Sequence, residues 1–171
     1  MSANEITWTC SVCENIHRGL PAIAFKAPAH YYGIPEEERA QRTKLNEDFC
    51  VIDREAFYVR CVLSVPISGV DDLLEWGIWS SLSEANFRKY NETFHDLDQG
   101  KLGPMFSWFA SSLPKYPRTL SLRCNVVPVD IRKRPHIHFD PSQDHPLIGD
   151  IRNGISLEQA IAFVEPTVHR H

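Results

Sequence analysis

The residues with the most evident chemistry lie near the N-terminus, in "TCSVCENIHRGLP", where Cys10, Cys13 and His17 fall within eight residues. Two cysteines separated by two residues can bend round one ion in a tight turn, and zinc favours four thiolate or imidazole ligands in a tetrahedron. His17 follows Cys13 closely enough to supply a third ligand, and Gly19 and Pro21 keep the segment from continuing as a helix. The fourth ligand must then come from another part of the chain. Cys50, at the start of a strand, is the expected one, and His145 is the alternative. Two other readings stay open: a redox pair, which needs the cysteines at a helix N-terminus, and unligated cysteines in a turn.

Other groups with chemical potential are weaker. His136 and His138 alternate with Ile137 and Phe139, and with His145 they make a three-histidine set on paper; the expectation is a solvent-facing strand without metal. Asp144 beside His145 suggests either a metal-dependent hydrolase with an open coordination position or, preferably, a helix cap. Asp96 and Asp98 lack the rest of a calcium loop. No nucleophile elbow, phosphate-binding loop or dinucleotide fingerprint is present.

The elements that must position these residues follow from hydrophobic period. "AFYVRCVLSV" alternates, with Phe57, Val59, Cys61, Leu63 and Val65 on one face, and "LLEWGIWSSL" repeats the pattern with Leu74, Trp76, Ile78 and Leu82. "TLSLRCNV" and "RPHIHFD" are further strands, and Cys61 and Cys124 on apolar faces read as core thiols. Helices are expected at "PEEERAQRTKL", at "SEANFRKYNETF" behind the cap Ser83, and at "SLEQAIAFVE", where Ser156 and Gln159 form a capping box and Pro166 ends the helix. Trp79, opposite Trp76 and Ile78, is expected to be covered; Tyr31, Tyr32 and Tyr90 are further patch candidates. The pattern predicts one α+β domain over residues 1–171, a mainly antiparallel sheet with flanking helices and an N-terminal zinc-knuckle-like turn.

Composition narrows the function. In 171 residues the apolar fraction is 43%, the charged fraction 23% and the net charge −4. The one dense basic run, Arg132, Lys133 and Arg134, reads as a solvated turn, so nucleic acid is not the expected partner. No apolar run is long enough to span a membrane and the start carries no signal-peptide pattern. With five cysteines, an odd count, a cytoplasmic protein with reduced thiols or metal ligands is expected.

The segments "TCSVCENIHRGLP", "HYYGIPEEERAQR", "CVIDREAFYVR", "WGIWSSLSEANF", "LPKYPRTLSL" and "DHPLIGDIRNGIS" together resemble a bacterial family catalogued as domain of unknown function 2199. That resemblance implies a bacterial protein and no particular reaction. It matches at Cys10, Cys13, His17, Cys50 and His145, and leaves Cys61, Cys124, His136 and His138 outside its pattern. The expected function is a non-catalytic binding or interaction protein with a structural zinc; the alternative is the metal-dependent hydrolase at Asp144 and His145.

Overall fold

A computed structural model describes residues 5–169. The chain opens on a hairpin, β1 (Thr7–Thr9) and β2 (Ile16–Arg18), in which Trp8 faces His17 across the ladder. A connecting stretch holds β3 (Ile23–Ala24), α1 (Ala29–Tyr32), α2 (Glu36–Arg42) and β4 (Thr43–Leu45). The centre of the sheet is β5 (Phe49–Ile52), β6 (Ala56–Pro66) and β7 (Leu73–Leu82). After α3 (Glu84–Glu92) and a 3-10 turn at Gln99–Leu102 come β8 (Met105–Trp108), β9 (Arg123–Val127) and β10 (His136–Phe139), then α4 (Pro146–Asn153) and α5 (Leu157–Val168).

The main sheet runs β3-β7-β6-β10-β9-β8, with β4 and β5 branching from the first half of β6. It is antiparallel except where β3 lies beside β7 and β10 touches β6. The sheet also curls: Ser80 bridges to Phe109, just past β8, and the Ala110 amide donates to the Trp79 carbonyl at 3.0 Å. The outer strand β8 thereby returns toward β7, and one edge of the sheet is covered by the sheet itself.

Side-chain parity divides the interior. Val59, Cys61, Leu63 and Val65 of β6 and Leu74, Trp76 and Ile78 of β7 point to the larger core, where Phe87 and Tyr90 of α3, Leu147 of α4 and Ala160, Phe163 and Val164 of α5 meet them. The opposite face makes a smaller core of Ile34, Cys50, Ile52, Tyr58, Trp79 and Ala110. Trp79 is fully buried there, and its indole N–H donates to the Phe25 carbonyl at 2.8 Å. What covers it is the irregular segment from Phe25 to Ile34, with Tyr31 packed against the same cluster, rather than a long helix. Tyr90 is core as well, whereas Tyr32 stays exposed.

Local departures from the sequence reading have local causes. The helix expected across "PEEERAQRTKL" stops at Arg42, because Thr43, Lys44 and Leu45 pair with Ile52, Val51 and Cys50 as β4. "TLSLRCNV" is a strand only from Arg123: Ser121 takes a left-handed φ of 67°, and Thr119 turns its hydroxyl onto the Ser111 carbonyl. Helix α4 begins on His145, whose Nδ1 accepts from the Leu147 amide at 3.1 Å, so the cap is His145 and not Asp144.

Helix α5 departs most consequentially. Its capping box at Ser156 and Gln159 is formed as expected, but the helix passes through Pro166 and runs to Val168. A proline there has no N–H for the carbonyl four residues back, Ala162. That carbonyl accepts instead from the Lys115 ammonium at 2.9 Å. The extra turn carries the chain on to His169.

Candidate metal centre

The hairpin builds a knuckle from its own backbone. The Cys10 amide donates to the Asn15 carbonyl and the Glu14 amide to the Cys10 carbonyl, at 2.9 and 3.0 Å, and Glu14 adopts φ 59° to close the turn. Within it the Val12 amide points at Cys10 Sγ at 3.4 Å. Backbone N–H groups aimed at a thiolate sulfur stabilise its charge. Cys13 Sγ lies 3.4 Å from His17 Nε2. The His17 ring is held by Trp8, stacked on it at 4.7 Å with planes 23° apart, and Trp8 is itself anchored by its indole N–H on the Gly19 carbonyl at 3.1 Å.

The fourth member comes from the other end of the chain. His169, just past α5, places Nε2 2.9 Å from Cys10 Sγ. The ligand atoms of Cys10, Cys13, His17 and His169 all lie within 4.8 Å of one another. A tetrahedron with Zn–S of about 2.3 Å and Zn–N of about 2.1 Å has edges of roughly 3.3–3.8 Å. The Cys13–His17 separation of 3.4 Å falls in that range, the Cys10–His169 separation of 2.9 Å is slightly shorter, and every pair lies within 4.8 Å, so two sulfurs and two imidazole nitrogens are placed to close round one ion with side-chain adjustment. Cys10 is buried and the other three are half-buried. A second tie joins the same elements: the Ser11 amide donates to the Glu165 carboxylate, and this bond is the main reason that carboxyl is held below its ordinary range.

Cys50 is elsewhere. It sits fully buried in the smaller core, on β5, and desolvation pushes its thiol up to about 12. The Cys10 sulfur belongs to the larger core, on the other face of the sheet. The expectation of Cys50 as fourth ligand therefore gives way to His169, and the reason is strand parity. His145 does not reach the cluster either: Nδ1 caps α4, and Nε2 faces the carbonyls of Pro117 and Arg118 at 3.3 and 3.1 Å. Both ring nitrogens are thus engaged, and Asp144 beside it is exposed. His136 and His138 lie on β10 outside the cluster. The redox reading loses its geometric basis, since the cysteine pair occupies a hairpin turn rather than the start of a helix.

Sequence reasoning missed His169 because it ended α5 before Pro166. The available signal was helical spacing, Glu165 to His169, which matters only if the helix survives the proline.

The family described as "Uncharacterized protein conserved in bacteria (DUF2199)" matches residues 9–155. This chain belongs to DUF2199. The matched range includes Cys10, Cys13 and His17 and stops short of His169. No curated protein and no solved structure matches the chain. No helix among the described residues of this DUF2199 protein is long and apolar enough to cross a membrane.

Proposed function

We propose that this DUF2199 protein is a non-catalytic binding protein whose fold is stapled by one zinc ion on Cys10, Cys13, His17 and His169. The observation that carries this reading is the convergence of four protein ligand atoms within 4.8 Å. Four such ligands fill a tetrahedral shell and leave no position for a reactive water, which is the arrangement of structural zinc. Zinc rather than iron or copper suits a pair of thiolates with a pair of imidazoles at a hairpin turn. The hydrolase alternative finds no support, since His145 has both ring nitrogens engaged.

The staple also has something to shape. A cavity of about 560 Å³ lies between Ile23 and Phe25, just after the hairpin, and Phe163 and Val168 of α5, with Leu113 and Lys115 at its side. Both long walls are continuous in sequence with metal ligands, β2 with His17 on one side and α5 with His169 on the other. Joining them through one ion holds the walls at a set separation, so the mostly apolar cleft is preorganised for a ligand or partner segment.

The test is elemental analysis of full-length protein purified without chelator. About one equivalent of zinc is expected, and it should be lost in Cys13→Ser and in His169→Ala but kept in Cys50→Ser. Metal-free wild-type protein, or a His169→Ala variant with full zinc, would overturn the assignment.

A further inference from the structure

A second cavity lies on the opposite side of the sheet, away from the metal ligands. It measures about 360 Å³, within the range of small-molecule sites, and is lined by His30, Tyr58, Ser81, Trp108, Phe109 and Ser121 with Ala110. Tyr58 is 6% exposed and anchored in the smaller core, with His30 stacked on its ring at 5.4 Å. Its hydroxyl makes no hydrogen bond among the described residues, yet it is absent from the polar atoms sealed without a partner, so it reaches the open space of the cavity. A phenol whose ring is fixed this firmly presents its O–H to that space from a set position, where it can both donate to and accept from a bound group.

The remaining walls agree with a ligand. Ser81 Oγ accepts from the Trp108 amide at 3.0 Å and so keeps its own proton to donate. Ser121, at a left-handed φ of 67°, borders the cavity as well. Trp108 is 48% exposed beside Phe106, which packs edge-on against it at 5.0 Å. No lysine, arginine, aspartate or glutamate lines the space.

We infer that this cavity binds a neutral sugar ring, a pyranose whose C–H face lies on the Trp108 indole and whose hydroxyls meet Tyr58, Ser81, Ser121 and His30. The absence of charge selects a neutral ligand. Three hydroxyls and an imidazole are groups that both donate and accept, which suits a ligand whose own hydroxyls do both; a nucleobase edge would need donors and acceptors in a set order. The exposed indole offers an electron-rich face to the polarised C–H groups of the ring. No hydrogen bond joins His30 to Ser81 or Ser121 among the described residues, so the site is read as a binding site and not as a nucleophile with its base.

Trp108 supplies its own reporter, because Trp8, Trp76 and Trp79 are only 6%, 1% and 0% exposed. Acrylamide quenching of full-length protein should therefore report Trp108, and it should fall on titration with methyl glucoside, galactoside, mannoside or N-acetylglucosaminide. At least one of these is expected to protect with a Kd of about 1 mM or tighter. Tyr58→Phe keeps the ring and its stack, so it should fold normally and weaken that pyranoside by about fivefold or more in calorimetry. Failure of all four at roughly 50 mM, protection by adenosine or uridine alone, or an unchanged Kd in Tyr58→Phe would each overturn the inference. So would a dimer seen in sedimentation that Trp108→Ala dissolves, since Trp108 and Phe106 would then be an interface. None of these readings depends on zinc content.

Discussion

Cys10 and His169 are 159 positions apart in the chain, yet Cys10 Sγ stands 2.9 Å from His169 Nε2. The separation spans both ends of the described chain, and the elements carrying the two residues, the β1–β2 hairpin and α5, share the larger core through Trp8 and Phe163. A metal ion at this point would cross-link those ends. Structural zinc contributes on the order of 10 kcal/mol or more, because the site exists only in the folded chain.

Loss of the ion should loosen the two ends before the sheet. In chelator-treated wild type or in Cys13→Ser, limited proteolysis is expected to cut first within about the first 20 residues or after α5, while β6 and β7 stay protected. Cleavage that begins in the β6–β7 region instead would contradict a staple at the ends.

Acid should release the metal. Protons compete with zinc for thiolates and imidazoles, so affinity falls as pH falls, and bound zinc is expected to dissociate between neutral pH and about pH 5. A chromogenic zinc indicator would show this directly. Metal retained unchanged below about pH 4 would be inconsistent with two histidine ligands.

The five cysteines should sort into two classes under alkylation at pH 8. Burial raises the thiols of Cys50, to about 12, and of Cys61 and Cys124, so these stay protonated and shielded. With chelator present, mass spectrometry should find label first on the half-buried Cys13, then on Cys10 as the released hairpin opens, and little on the other three. Rapid labelling of Cys50 in folded protein would contradict its place in the smaller core.

The contact between Lys115 and the Ala162 carbonyl compensates for Pro166. Lys115→Met should destabilise by about 1 kcal/mol, the worth of one hydrogen bond to a charged donor near the surface. In a Pro166→Ala background the backbone N–H returns, and the same substitution should cost less. A double-mutant cycle by urea unfolding measures the difference, and simple additivity would mean that the two are not coupled.

Trp79→Ala should remove about 3–5 kcal/mol, since it empties the centre of the smaller core and leaves the Phe25 carbonyl without its indole donor. Thermal unfolding measures the loss. A change under about 1 kcal/mol would mean that the Phe25–Ile34 segment does not hold its place.

What was legible in the sequence was what depends on neighbours in the chain. Alternation placed Val59, Cys61, Leu63 and Val65 on one face and Trp79 opposite Ile78, because successive side chains of a strand point to opposite sides. Ser83 and Ser156 capped their helices as read, since a cap is satisfied by amides two or three residues on. Cys10, Cys13 and His17 were found together for the same reason: a hairpin of this length brings them to one point without help from the rest of the molecule.

Tertiary structure alone decided which fourth side chain joins the Cys10, Cys13 and His17 cluster, and it alone formed the second cavity. Cys50 and Cys10 ended on different faces because Cys50 pairs with Tyr58 and shares its parity, which a reading of "FCVID" in isolation does not specify. His169 reached the cluster because Lys115, 51 residues earlier than Pro166, satisfies the carbonyl that the proline abandons and lets α5 complete its last turn. Tyr58 faces Trp108 across a cavity only because the sheet curls until β8 meets β7. The last two are contacts between segments far apart in sequence, and although the β5–β6 pairing is local, which core its Cys50 face enters is set by what packs on that side of the sheet; in each case packing geometry decides and not the residues' own propensities.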